Sequence, residues 1–162
     1  VPNLRLGSGI APIPAMVEAG VPVGLAVDGS ASNDSSNMLR EVQTAMLVHR
    51  VGTGVESMPA RRALRIATVG GSAVLGRADT GRIAVGLSAD LALFDLSGLA
   101  YAGGQADPLA SLLFCGMDSR AEWVMVNGQV VVRERQLVHA DEETLAKEAF
   151  AASRALLKRA DL

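Results

Sequence analysis

The chain has 162 residues, of which 49% are hydrophobic and only 3% aromatic, and its formal net charge at pH 7 is −2. This length is enough for one domain with a substantial core. The balanced charge gives no electrostatic basis for binding nucleic acid or an anionic membrane, and no apolar run is long enough to cross a bilayer.

Cysteine and histidine are scarce, which limits the chemistry that these residue types can support. Cys115 is the only cysteine and forms no intrachain disulfide; with no signal peptide apparent, we expect a cytoplasmic protein. Its apolar neighbours and the lack of a nearby base favour a buried thiol over a nucleophile. His49 and His139 lack the His-x-His spacing of a metal site, and we interpret both as ordinary surface or hydrogen-bonded histidines.

The first part of the chain alternates helical and strand-like patterns. Ser8 can cap a first helix, which Gly20 ends. Residues 21–27 are an apolar run between two glycines, which predicts a strand buried on both faces, as in a parallel sheet. Apolar residues recur at helical spacing in two later segments, and Gly70-Gly71 is expected to break the second of them. The predicted helices cover residues 9–19, 37–49, 58–69 and 72–75.

The pattern changes to period two after about residue 80. Residues 90–95 are strand-like. Residues 123–126 and 129–132 flank Asn127-Gly128, a pair that supplies the positive φ angles of a tight type I′ turn. These segments predict β-structure that contains a hairpin.

The last strong pattern is an amphipathic helix that Asp141 or the residues just after it can cap and that runs to Arg159. The chain therefore divides into an α/β portion, a β portion and a C-terminal helix. Their predicted bounds are residues 1–78, 79–140 and 141–162.

Asp28 directly follows the predicted strand and opens a loop of small polar residues at 29–34. In α/β barrels the C-terminal ends of the strands carry the chemistry, because strand ends hold side chains rigidly. An aspartate in this position also commonly caps the turn or helix that follows. Position alone leaves both interpretations of Asp28 open.

Four segments form a recognisable set when they are taken together. They are residues 23–34 with 36–38, residues 67–76, residues 81–83 with 86–91 and 95, and residues 126–128. In this order and at this spacing they resemble the amidohydrolase superfamily, in its aminohydrolase and chlorohydrolase branch. Within that branch, four stretches are most similar to 8-oxoguanine deaminases: residues 5–12, 99–103, 107–108 and 113–115.

This resemblance implies an α/β fold, namely the C-terminal part of a metal-dependent (β/α)₈ barrel plus the C-terminal share of a small β-sandwich domain. Residues 1–78 would be the last βα elements of the barrel. It also implies one divalent metal, with Zn²⁺ our expectation. The family's His-x-His, its later metal-binding histidine, its catalytic Glu and its second His are not in this sequence. We therefore expect these ligands upstream of Val1, in a missing N-terminal part of the same enzyme.

The resemblance also assigns roles to two side chains. Asp28 would be the catalytic residue and the metal ligand, taking the proton of the attacking water and passing it to the departing amine. Ser32 would bind the substrate ring, although a loop hydroxyl that bonds its own backbone is an equally good interpretation. Asn33, Asp34 and Asn37 are expected to shape the loop and to cap the next helix.

The implied function is deamination of a heteroaromatic ring, with 8-oxoguanine as the first substrate. Triazine amino- or chlorohydrolases share the Asp-Gly-x-x-Ser-Asn-Asp loop and are the nearest alternative, while deaminases of adenosine-type nucleosides are more distant. A non-catalytic binding or oligomerisation module is the alternative from a different class. The expected partners are a small heterocyclic substrate, the N-terminal part of the enzyme and further copies in a homo-oligomer, and the chain alone is expected to be inactive.

Overall fold

The computed structural model describes residues 1–115 and 120–160. The described residues divide into two compact units. Those of 1–89 and 95–119 form a helical unit, and those of 90–94 and 120–162 form a unit with a sheet and a helix. The part of the chain that the structure describes contains no helix that is long and apolar enough to cross a membrane.

The helical unit is built from six α-helices, with single 3₁₀ turns at Val55–Ser57 and Leu99–Tyr101. The helices are α1 (Pro2–Leu6), α2 (Ile13–Glu18), α3 (Met38–Thr53), α4 (Ala60–Arg65), α5 (Gly71–Val74) and α6 (Pro108–Phe114). The helix predicted from residue 37 is confirmed as α3, because the side chain of Asn37 caps it by accepting the backbone N–H of Arg40 at 3.1 Å.

The first predicted helix is shorter than the apolar pattern suggested. It was expected over residues 9–19, but α2 begins only at Ile13. Pro12 is the residue before the first turn and Pro14 lies within that turn, where the missing N–H does no harm. A helix that began at residue 9 would place both prolines deeper in the helix, where the ring excludes them.

The predicted break at Gly70-Gly71 is wrong. Both glycines have helical dihedral angles, with φ −62° and −57°, and a π-helical turn at Ile66–Gly70 joins α4 to α5. The glycines serve close packing instead of chain reversal. A Cβ atom on Gly70 would lie 2.2 Å from the backbone oxygen of Val23, so only glycine lets the two backbones approach this closely.

The core of the helical unit lies among α3, α4 and α6. Its largest fully buried side chains are Met46, Met58, Leu113 and Val42. Val23 and Leu25 pack against this cluster from the segment that precedes Asp28. The elements that carry the candidate site are therefore fixed to a well-packed core.

Residues 21–27 do not form the predicted buried strand. They have no regular secondary structure, and of this segment only Val23, Gly24, Leu25 and Val27 are partly buried, while Ala26 is exposed. A strand is defined by hydrogen bonds to a neighbour, and no strand pairs with this segment in the described parts of the chain. The apolar run indicates a segment that would be buried inside a sheet, but in the described parts of the chain no sheet surrounds it.

The second unit contains one antiparallel sheet of four strands in the order β1-β2-β3-β4. The strands are Leu91–Leu93, Trp123–Val126, Gln129–Arg133 and Gln136–Leu137. The predicted hairpin is confirmed, because Val124 pairs with Val132 and Asn127 and Gly128 have φ angles of 48° and 81°. The rest of a β-sandwich stays a prediction.

The structure divides the chain differently from the predicted bounds. The described residues of 95–119 cluster with the helical unit and include α6, although the sequence placed them in a β portion. Cys115 lies where α6 ends and is exposed, so the expectation of a buried thiol is wrong. The C-terminal helix is confirmed as α7 (Glu142–Arg159), capped by Asp141 through the N–H groups of Glu143 and Thr144.

Candidate functional site

Asp28 lies at the end of the apolar segment, as predicted, and begins the polar loop. It is exposed, and its φ of 66° is in the left-handed region that few residues other than glycine and Asn or Asp adopt. Two close backbone approaches hold the segment before it. Gly70 lies against the oxygen of Val23, and a Cβ on Gly24 would lie 2.9 Å from the Cα of Gly71.

The carboxylate of Asp28 is bound within its own loop. Its Oδ1 accepts the backbone N–H of Gly29 at 2.8 Å, and its Oδ2 lies 3.3 Å from the hydroxyl of Ser32. The Ser32 hydroxyl also lies 3.2 Å from the backbone oxygen of Gly29. Having one proton, this hydroxyl can donate to only one of the two oxygens at a time. Asp28 and Ser32, the two predicted site residues, are thus adjacent, and both also make the local loop contacts that the alternative interpretations proposed.

A buried polar pair lies behind this loop. Asn33 is 2% exposed, and its Nδ2 donates both to the backbone oxygen of Val27 at 2.6 Å and to Oε1 of Glu41 at 2.7 Å. Glu41 is 5% exposed, and its Oε2 lies 2.5 Å from the backbone nitrogen of Val1. Sequence reasoning assigned Asn33 to the loop but missed Glu41. The signal was a carboxylate in the first turn of α3 on its apolar side, one residue before Val42.

A cavity of about 280 Å³ adjoins Asp28. Its polar lining includes Asp28, Glu41, Thr44 and His49, and apolar side chains such as Ile10 and Leu25 form much of the rest. An apolar hollow with a few polar groups is the usual character of a small-molecule site. Its volume is near the lower end of such sites.

His49 is buried, so of the two alternatives for it only a hydrogen-bonded histidine remains, whereas His139 is exposed. Burial lowers the pKa of His49, so the neutral imidazole is favoured. The sequence contained the signal, because His49 follows Val42, Ala45 and Met46 at the three- and four-residue spacing of one buried helix face.

Arg5 and Asp34 form an exposed ion pair that joins α1 to the loop after Asp28. The hydrogen bond from Arg5, with its positive charge, lowers the pKa of Asp34. From the sequence, Arg5 could face the pocket or lie on the surface or the barrel rim with equal weight. Its exposure and its bond to Asp34 favour the rim.

The donors that the described residues offer do not make a complete metal site. No group of three or more His, Cys, Asp or Glu side chains among the described residues is arranged to hold a metal ion. Asp28 fits as one oxygen ligand, but zinc in proteins takes about three or four nitrogen, sulfur or oxygen ligands. A metal at Asp28 requires donors beyond the described residues.

Comparison with known proteins identifies the family. The family model described as "Amidohydrolase family" matches residues 1–131. The chain belongs to the amidohydrolase family. The 8-oxoguanine deaminase of Pseudomonas aeruginosa is 44% identical over 155 residues, which cover 96% of this chain and 34% of that protein. The 5-methylthioadenosine/S-adenosylhomocysteine deaminase of Pelotomaculum thermopropionicum is 40% identical over 148 residues, covering 91% and 34%.

A solved structure extends the likeness to three dimensions. The atrazine chlorohydrolase of Arthrobacter aurescens, solved in complex with zinc, superposes with a TM-score of 0.87 at 40% identity, covering 93% of this chain and 34% of that one. The chain thus spans about a third of the length of the relatives that it matches. These relatives include both deaminases and a chlorohydrolase.

Proposed function

We propose that this chain is the C-terminal part of a metal-dependent hydrolase that deaminates a heteroaromatic ring, with 8-oxoguanine as its substrate. The observation that carries the proposal is the placement of Asp28, a loop-entry carboxylate beside the Ser32 hydroxyl at the edge of an apolar cavity. The 44% identity to an 8-oxoguanine deaminase supports the choice of substrate.

Asp28 is proposed to hold the metal and to move a proton. A carboxylate can take the proton of an attacking water and return it to a departing amine, which otherwise leaves as a poor, strongly basic group. When bound, zinc would make water a competent nucleophile near neutral pH. The zinc in the related chlorohydrolase structure supports this metal. The remaining ligands are proposed to lie in the N-terminal part of the enzyme.

Ser32 is proposed to orient the substrate. Its hydroxyl can turn from the Gly29 oxygen or from Asp28 toward a ring nitrogen or an exocyclic oxygen, because neither bond is short. The Ser32 hydroxyl can donate its hydrogen to one group of the substrate ring while its oxygen accepts a hydrogen from a neighbouring group. It would therefore select heterocycles in which a donor lies next to an acceptor. Purines that carry oxo groups have that pattern.

The test is a chimaera in which this chain replaces the matched 155-residue C-terminal region of the Pseudomonas aeruginosa 8-oxoguanine deaminase. Ammonia release is measured from 8-oxoguanine, guanine, 5-methylthioadenosine and aminotriazines. We expect turnover of 8-oxoguanine to exceed that of the others. Asp28→Asn should keep the fold and lower turnover severely, since an amide accepts no proton from water, on the order of the 10²–10⁴-fold contribution of general acid–base catalysis. Turnover unchanged by Asp28→Asn would refute the mechanism.

Triazine hydrolysis is the second candidate, supported by the 40% identity and TM-score of 0.87 to an atrazine chlorohydrolase. Chloride release from a chlorotriazine by the same chimaera, without ammonia release from purines, would favour it. If the isolated chain bound a ligand tightly and the chimaera catalysed neither reaction, the chain would instead be a binding module. We further propose a cytoplasmic homo-oligomer, and the mass of the purified enzyme tests the oligomeric part.

A further inference from the structure

We propose that Asn33, held by Glu41, is a positioning residue that fixes the backbone from which Asp28 projects. This inference rests on the proposed function for its catalytic consequence, while its structural part stands on the contacts alone. Asn33 lies on the protein side of the loop and has no part in binding the ring in the proposal above. Its effect on the reaction would therefore pass through Asp28.

The side-chain hydrogen bonds of Asn33 connect the two ends of the loop. Its Nδ2 donates to the backbone oxygen of Val27, the residue immediately before Asp28, at 2.6 Å. Its Oδ1 accepts from the backbone N–H groups of Ser35 and Ser36 at 3.3 and 3.2 Å. One planar amide thus joins the entry of the loop to its exit, and both hydrogens and the carbonyl oxygen are used.

Glu41 determines how that amide is oriented. Its Oε1 accepts the second hydrogen of Nδ2 at 2.7 Å, which only the NH₂ end of the amide can supply. A flipped amide would place its oxygen against both the Glu41 carboxylate and the Val27 carbonyl. Hydrogen bonds to a charged acceptor are stronger than those between neutral groups, and burial removes competing water. Glu41 lies in the first turn of α3, and α3 is packed in the core. The bond from Asn33 to Glu41 therefore attaches the loop to a rigid helix.

Asp28 needs this support because its own conformation is unfavourable. Asp adopts a φ of 66° more readily than most residues, but this angle is less favourable than a negative φ and is retained where the surroundings enforce it. The bond from the Asn33 side chain restrains the backbone at Val27, one residue before Asp28. The backbone N–H groups of Ser32 and Asn33 both donate to the Gly29 oxygen at 3.0 Å and so restrain the backbone one residue after Asp28. Loss of the first contact frees the carboxylate to swing relative to the apolar segment.

The first test measures the loop directly in the 162-residue chain by amide hydrogen exchange. Asn33→Ala should accelerate exchange of the Ser32 and residue-33 amides about tenfold or more, as expected when buried hydrogen bonds that close a loop are lost. Ser111→Ala is the matched control, because it removes another buried polar side chain, 6% exposed, whose hydroxyl bonds the Gly104 oxygen elsewhere in the same unit. Equal acceleration in both variants, or fast exchange of these amides already in the unsubstituted chain, would overturn the proposal.

The second test measures catalysis in the chimaera, per metal-loaded site. Asn33→Ala should lower kcat on the order of 10²-fold with KM little changed, which is the effect of misplacing a catalytic group by about 1 Å. Ser111→Ala should leave kcat per loaded site unchanged. Glu41→Gln, which keeps an oxygen acceptor for Asn33, should retain most of the activity that Glu41→Ala loses. A uniform loss of active protein, with kcat per site intact in every variant, would mean that the pair is merely structural and would overturn the proposal.

The two tests separate the proposals. A chimaera without any turnover would count against the proposed function and remove the catalytic part of this inference. The exchange result in the chain would still confirm or overturn the structural part.

Discussion

Substituting Gly70 by alanine should disturb the segment that carries Asp28, whereas the same substitution at Gly71 should not. The two residues are consecutive, both glycine and both helical, so they have the same propensity to gain from alanine. They differ in surroundings. A Cβ on Gly70 would lie 2.2 Å from the backbone oxygen of Val23, while a Cβ on Gly71 would meet nothing within 4 Å.

The magnitude follows from that geometry. Ordinary contact begins at 3.4 Å, so Val23 and the π-helical turn that ends at Gly70 must separate by about 1.2 Å. The atom in the way belongs to the backbone and cannot rotate aside. Overpacking of this kind costs about 1–3 kcal/mol or more, whereas replacing a glycine within a helix by alanine stabilises the helix by about 0.5–1 kcal/mol. We expect Gly71→Ala to be slightly more stable than the unsubstituted protein. Because both variants have the same propensity gain, Gly70→Ala should be less stable than Gly71→Ala by the overpacking cost alone, about 1–3 kcal/mol or more.

The assay is urea unfolding of the two variants, followed by turnover in the chimaera. Val23 lies five residues before Asp28, so its displacement by about 1 Å should shift Asp28 as well. Misplacement of a catalytic group on that scale can lower turnover on the order of 10²-fold. Gly71→Ala should keep full turnover. Equal unfolding free energies for the two variants would refute the packing argument, and a destabilised Gly70→Ala enzyme with normal turnover would show that the site does not depend on this contact.

Three further predictions concern the rest of the molecule. Met46→Ala should destabilise the helical unit by about 2–5 kcal/mol, because Met46 is fully buried in the core; chemical denaturation measures this, and a loss below about 1 kcal/mol would contradict it. The pKa of Asp79 is lowered to about 2, chiefly by hydrogen bonds from Arg77. The contribution of the ionised carboxylate to the stability of the fold should therefore be complete above pH 3.8 and disappear as the pH falls to about 2. In an NMR titration, Arg77→Gln should return the pKa of Asp79 toward 3.8. Asp141→Ala removes the side-chain cap of α7 and should lower the stability of that helix by about 1 kcal/mol, seen as fraying of its first turn in hydrogen exchange, with Asp141→Ser as the conservative control.

The helices and the hairpin could be predicted because local chemistry determines them. Asn37 and Asp141 cap the helices that they were expected to cap, and Asn127-Gly128 forms the turn that its positive φ angles require. The errors arose where a distant contact decides. Gly70-Gly71 was expected to end a helix, since glycine is a helix breaker in isolation, but both glycines are helical and the close approach of Val23 explains the glycine at position 70. The strand predicted at residues 21–27 needs a paired neighbour, which no local pattern supplies.

The candidate site divides in the same way. The place of Asp28 after an apolar run drew attention to it, and the family resemblance implied the roles of Asp28 and Ser32. The structure puts the Ser32 hydroxyl 3.3 Å from the Asp28 carboxylate. The partnership of Asn33 with Glu41 could not be predicted, because it joins residues eight positions apart across the start of a helix and depends on burial. A carboxylate that is both exposed and held in a disfavoured conformation needs rigid groups behind it, and this chain supplies them from α3 and from the glycine contacts of α5. The residues that deserve mutation first are therefore those that hold Asp28 in place, because they test whether this conformation is maintained for chemistry.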